Sequence, residues 1–228
     1  MDLAELQRAC SYYEARTSYD QSLRAYRQRI GGSLDARNAE HVVALIAWLN
    51  SWQCRIKKDR EHLRRFTESL QDWAGRWEHE LPNHAETLLD LSVGAIGRAS
   101  DAYADLAARD LSGRRLSSTA SAAETTASKI LFALRPAVFP PWDSSIRGSF
   151  RARLLREGQR LAGRRAYVYA CFLMDVQERV RDLCAAAASE GVPTEGIPAR
   201  VGRPESSLVK LIDEYNWVTT TRGIAVKS

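Results

Sequence analysis

Several common functional signatures are missing from this chain. No run approaches 18 consecutive apolar residues, so no segment is fit to cross a bilayer as a helix. The four cysteines, Cys10, Cys54, Cys171 and Cys184, lie far apart and form no Cys-x-x-Cys pair. That spacing argues against a zinc or iron–sulfur centre and fits reduced, mostly structural thiols in a cytoplasm. His41, His62, His79 and His84 have no metal-ligand spacing either, so neither a metal nor another cofactor is expected. There is no P-loop, no Gly-x-Ser-x-Gly elbow and no dinucleotide fingerprint. Internal repeats are absent and strand patterns are marginal. The first residues, MDLAELQRACSYYEAR, read as an amphipathic helix and not as a signal peptide.

What is present is helical periodicity. Of the 228 residues, 45% are hydrophobic and 27% charged, enough for a core inside a polar surface. Leu3, Leu6, Cys10 and Tyr13 recur at three and four residues, and the pattern runs loosely on to Ile30 before Gly31-Gly32. Ser33 or Asp35 is placed to cap a second helix through Trp52. Leu63, Phe66, Leu70, Trp73 and Trp77 mark a third, and another is predicted over roughly 84–109. Residues 111–123 are small and polar and read as a loop. An arginine-rich helix, a long apolar helix from Tyr167 to Ala188 and a connector of glycines and prolines at 191–204 follow. The last helix carries Leu208, Leu211, Ile212 and Tyr215, and "WVTTT" is predicted to close it in extended form. The expectation is a single all-α domain over 1–228, in two lobes (1–110 and 111–228) with a cleft between them.

Residues 127–150, ASKILFALRPAVFPPWDSSIRGSF, stand apart from this pattern. A short apolar helix carries one lysine, Lys129, and breaks at Arg135-Pro136. A stiff turn with Pro140 and Pro141 then delivers Asp143 to the start of another helix. Asp143 suits an N-cap, where it would stay ionised. Lys129, predicted in the first turn of its helix, is misplaced in the helix dipole and lies in an apolar setting. It reads either as a desolvated nucleophile or as a side chain snorkelling to solvent.

"TASK" opening an apolar helix, followed by "FPPWDSSIR", resembles the helix-hairpin-helix DNA glycosylase superfamily over residues 120–150. The resemblance implies a compact helical fold with extra N-terminal helices. It implies that Asp143 stabilises an oxocarbenium-like sugar, and that Lys129, or a neighbour in "TTASK", attacks C1′ in a bifunctional enzyme. A flipped base would need an aromatic pocket, for which Trp48, Asn50, Trp52 and Trp142 are candidates, with Tyr169. The hairpin's Gly-x-Gly turn is missing, because no glycine lies between Gly113 and Asp143.

The charge pattern fits a nucleic-acid partner. The formal net charge is +5, and seven arginines against one acid lie between Arg147 and Arg165. Arg147 and Arg151 are the candidate phosphate contacts there. Arg55, Lys57 and Lys58 form a second basic cluster. Asp213 and Glu214 read as exposed helix charges. The expected function is cleavage of an N-glycosidic bond of a modified or damaged base in DNA. The alternatives are a non-catalytic helical nucleic-acid-binding protein that keeps the fold, and a helical protein whose basic faces meet an acidic protein partner.

Overall fold

The structure, a computed structural model, describes residues 1–109, 111 and 119–226. Among them there is no strand: the protein is all-α. Ten α-helices follow in order: α1 (Leu3–Arg16), α2 (Tyr19–Arg29), α3 (Ala39–Ser51), α4 (Arg60–Trp77), α5 (Val93–Ala108), α6 (Thr119–Leu134), α7 (Ser144–Arg156), α8 (Arg165–Ser189), α9 (Ile197–Arg200) and α10 (Leu208–Asn216). None is long and apolar enough to cross a membrane among the described residues.

Short polar side chains start most of these helices, as capping chemistry requires. Asp2 and Glu5 form a reciprocal capping box on α1. Asn38 caps α3, Asp59 α4, Ser92 α5 and Ser207 α10. The predicted caps Ser33 and Asp35 are therefore replaced by Asn38. The loose pattern from Leu3 to Ile30 is two helices broken at Thr17-Ser18. The helix predicted from 84 begins only at Val93, after a 3₁₀ turn at Leu88–Asp90.

Three further expectations change. Of the loop expected at 111–123, residues 112–118 lie outside the described residues, and α6 already runs from Thr119. Lys129 is thus ten residues into its helix and not in the first turn, which removes the argument from the helix dipole. "WVTTT" is not extended: Trp217–Thr221 form a π-helical turn continuing α10.

One large core joins both halves of the sequence. α5 packs on α6 and α8, while α1 lies against α10 and the π-helical turn. Trp73 and Tyr103 are fully buried, and Trp73 Nε1 donates to the Ala102 carbonyl across α4 and α5. Buried Gln177 on α8 donates to the carbonyls of Leu88 and Leu91, so a polar side chain fixes the turn that leads into α5. The chain end returns to α1, where Arg8 donates to the Val226 carbonyl.

Candidate functional site

The proline turn holds Asp143 as the sequence suggested. Pro140, Pro141 and Trp142 are buried, and Asp143 has the extended backbone of an N-cap (φ −74°, ψ 172°). Its Oδ1 accepts the Ile146 N–H at 2.8 Å, and its Oδ2 accepts the Thr221 hydroxyl at 3.2 Å. The carboxylate is half-buried between the first turn of α7 and the π-helical turn. Ser128 on α6 locks this arrangement: its Oγ accepts the Trp142 N–H at 3.1 Å. The residue preceding Lys129 is therefore clamped to the residue preceding Asp143.

Lys129 is 7% exposed and engages a different segment from that clamp. Its Nζ donates to the Trp52 carbonyl at 2.7 Å and lies 5.4 Å from the centre of the Trp52 ring. The segment receiving it is strained. Gln53 and Arg55 both adopt left-handed backbone (φ 63° and 54°), which costs about 1–3 kcal/mol each for a non-glycine residue. Asn50 holds the segment closed, accepting the Ile56 N–H at 2.6 Å and donating to the Ile56 carbonyl at 3.0 Å.

Tyr19 links the two candidate catalytic groups. Its ring lies 5.2 Å from that of Trp52, and its hydroxyl accepts a hydrogen bond from Gln53 at 3.1 Å. Burial raises the Tyr19 pKa, and the nearby Asp143 charge raises it further, against the pull of Arg222. Cys54 adds to that push. Its own thiol is raised by burial, while Lys129 beside it acts in the opposite direction. Lys129, Cys54, Tyr19 and Asp143 thus form one electrostatic neighbourhood, with no direct ion pair between Lys129 and Asp143. Tyr19 is half-buried and Gln53 and Arg222 are exposed, so the neighbourhood opens to solvent.

Beneath it lies a buried charge network that the sequence reading missed. Lys210 is 2% exposed and donates to Asp213 at 3.1 Å and to the Tyr13 hydroxyl at 3.2 Å, with Glu214 at 3.3 Å. Its ammonium lies 4.2 Å from the Tyr13 ring centre and 5.8 Å from that of Trp52, so Trp52 faces two cations. Burial alone would lower the Lys210 pKa, but Tyr13, Glu214 and Asp213 outweigh it and keep the amine charged. Burial pushes the Asp213 carboxyl up to about 6, against the pull of Lys210. Arg203 joins the network through Asp20 and Glu214. Asp213 and Glu214, read from the sequence as exposed, are 7% and 0% exposed. The signal available was the placement of Lys210 three and four residues before two acids, which makes them partners on a helix.

The expected base-pocket residues are packed into the core. Trp48 and Trp52 are 3% and 4% exposed, and Trp48 stacks on Tyr26 with ring centres 5.1 Å apart. Trp142 is 1% exposed and stacks on Phe172 at 4.6 Å, while Tyr169 stacks on Tyr103 at 3.8 Å. Asn50 is committed to its loop. None of these forms an open aromatic slot; the half-buried aromatic side chains of this neighbourhood are Tyr19 and Trp217 on the π-helical turn.

The basic residues divide in two. Arg147 is turned inward at 4% exposure, with its Nε 2.8 Å from Glu124. It also donates to the Thr125 hydroxyl at 3.2 Å, so it ties α7 to α6 where a surface phosphate contact was expected. Glu124 is itself buried and collects Arg165 at 3.0 Å and Arg151 at 3.7 Å, leaving Arg151 partly open to solvent. Arg55, Lys57 and Lys58 are exposed on the loop that follows Trp52, the loop whose Gln53 reaches Tyr19. No group of three or more metal-ligating side chains occurs among the described residues.

Comparison of the chain with protein-family models, with curated proteins and with solved structures found no match.

Proposed function

We propose that the protein is a nucleic-acid-processing enzyme of the DNA-glycosylase type, with Asp143 as its working carboxylate. The observation that carries this reading is the setting of Asp143. It is a half-buried carboxylate, fixed by two hydrogen bonds, whose charge acts on Tyr19; the Tyr19 hydroxyl in turn accepts from Gln53 on the loop that carries the exposed Arg55, Lys57 and Lys58. A fixed carboxylate stabilises positive charge developing on a sugar without reorganising at the moment of reaction. Tyr19 would support the sugar or the extruded base, and the exposed cations Arg55, Lys57 and Lys58, with Arg151 and Arg222, would meet the phosphate backbone. Lys129 acts by position: its amine, held by the Trp52 carbonyl, anchors the strained loop that carries Gln53. This reading favours water over an enzyme amine as the attacking group. The resemblance of residues 120–150 to the helix-hairpin-helix glycosylases points the same way.

The test is base release from a panel of duplex and single-stranded DNAs carrying deaminated, oxidised or alkylated bases, read as alkali-labile sites. The expected outcome is cleavage by the wild type, loss with Asp143→Asn, and no borohydride-trapped adduct. Base release undiminished in Asp143→Asn would remove the carboxylate from its role.

A second reading has its own support: both Asp143 oxygens and the Lys129 amine already have partners within the protein. A binding protein that keeps this arrangement for stability alone would bind DNA with a steep salt dependence and release no base.

A further inference from the structure

A separate polar hollow of about 150 Å³ lies over the buried Arg203–Lys210 network, but its two buried cations are already paired, Arg203 with Glu14, Asp20 and Glu214 and Lys210 with Asp20, Asp213 and Glu214. A hollow of about 120 Å³ beside Asp143 is different. It lies between α7, α8 and the π-helical turn, with Phe150 and Phe172 as its apolar wall. Arg153, Arg156 and Arg179 bring three positive charges to its lining, and Asp175 one negative charge.

Asp175 braces two of the arginines. Its Oδ1 accepts from Arg153 at 2.5 Å, and its Oδ2 lies 3.1 Å from Arg179 Nε. Arg179 also donates to Asn216 Oδ1 at 2.8 Å, and the Arg153 guanidinium lies 4.7 Å from the centre of the Phe150 ring. Both side chains are 38% exposed, held in place yet open on one side. Arg156 is exposed and has no ion-pair partner among the described residues. The lining keeps an excess of two positive charges, and Ser149 and Thr220 add hydroxyl donors.

That combination suits an oxyanion. Arginine forks match the geometry of phosphate oxygens, and a brace of this kind lowers the entropy lost when they bind. The volume falls well below the roughly 300 Å³ at which pockets begin to enclose whole drug-sized ligands, and suits a single tetrahedral group. The location matters as much. Ile146, which lines the hollow, donates its N–H to Asp143, and Thr220 precedes the Thr221 that donates its hydroxyl to the same carboxylate. One turn of backbone separates the hollow from Asp143.

We propose that this hollow is a phosphate subsite, seating a backbone phosphate of a DNA strand whose adjoining nucleotide lies at Asp143. The placement of that nucleotide rests on the glycosylase-type reading, while the phosphate site itself rests on the arginine geometry. The substrate is then a polynucleotide and not a free nucleoside.

Anisotropy of a fluorescein-labelled oligonucleotide, titrated over a range of NaCl concentrations, tests the subsite. Arg156→Ala removes an exposed, unpaired cation and leaves the fold alone; Arg179→Gln keeps most of the side-chain volume. Each is expected to weaken binding about tenfold at low salt and to reduce the salt slope by about one, whatever the sequence. Broadening of the phosphorus resonance of inorganic phosphate and of a nucleoside 5′-monophosphate forms the second arm. DNA binding with an unchanged slope in both arginine variants overturns the subsite and leaves the proposed activity standing. Failure to bind DNA, with phosphate binding lost in Arg179→Gln, keeps the subsite and overturns the DNA reading. Failure in both arms overturns both.

Discussion

Asp143 serves the fold and the proposed chemistry with the same two oxygens, and the two roles separate by substitution. Asp143→Ala removes the N-cap of α7 and is expected to cost about 1–2 kcal/mol in chemical denaturation. Asp143→Asn still caps, so it should unfold near the wild-type midpoint while losing base release. Trp142→Ala is a contrasting case. Its side chain is 1% exposed and stacked on Phe172, so its loss should destabilise by about 3–5 kcal/mol, as for a core aromatic. Asp213 makes a pH prediction. Its folded pKa of about 6 lies above its ordinary value of 3.8, so the folded state binds more protons than the unfolded state between those values. The Asp213 contribution to stability is therefore complete below about 3.8 and is lost as pH rises through 6. Relative to Asp213→Asn, the wild type should gain stability as pH falls from 7 to 4; a pH-independent difference between the two would contradict the burial argument. Asp143 was legible in the sequence because a cap is a local device, written in the proline turn before it and the Ser-Ser-Ile after it. Arg147 was not, because its partner Glu124 lies in another helix. Asp213 and Glu214 were misread although their partner Lys210 precedes them on the same helix, because the burial of that cluster depends on Asp20 and Arg203 from elsewhere in the chain.

Among the elements, the segment from Trp52 to Ile56 holds the most strain. It carries two left-handed residues, receives Lys129 on the Trp52 carbonyl and presents Gln53 to Tyr19. Asn50 binds both ends of the Ile56 peptide, an explanation for the polar residue in an otherwise apolar helix run. Asn50→Ala should cost about 1–3 kcal/mol, since it strips a partly buried N–H and carbonyl of their partner. Hydrogen exchange at residues 53–56 should accelerate in that variant before the rest of the protein is affected. Helices were readable wherever an apolar stripe recurs every three to four residues, as in α4, α8 and α10. Their ends were less so. Thr17-Ser18 breaks a continuous stripe without glycine or proline, and Asn38 outcompetes two equally plausible caps upstream. The π-helical turn follows from the tertiary contact of residues 217–221 with α1 and α7, which no local pattern encodes.

At the level of the whole molecule, the two halves of the chain share one core, with α1 and α2 closing over α10 through the Arg203–Asp20–Glu214–Lys210 network. The all-α class followed from composition and periodicity alone. The candidate site did not, because its members come from α2, the loop after α3, α6, the proline turn and the π-helical turn, spread from Tyr19 to Arg222. The chain's excess of positive charge is distributed unevenly: the arginines nearest Asp143 in sequence are partly consumed by Glu124, while Arg55, Lys57, Lys58, Arg156 and Arg222 remain exposed. An exposed basic set of this kind predicts oligonucleotide affinity that falls steeply between 50 and 200 mM salt, by roughly a thousandfold if about six phosphates are neutralised. If Asp143 drives chemistry on DNA, base release from lesion-bearing DNA must separate the wild type from Asp143→Asn. Alkali-labile sites are expected with the wild type and none with Asp143→Asn at equal folding and saturating protein; equal base release by the two proteins would remove Asp143 from the chemistry.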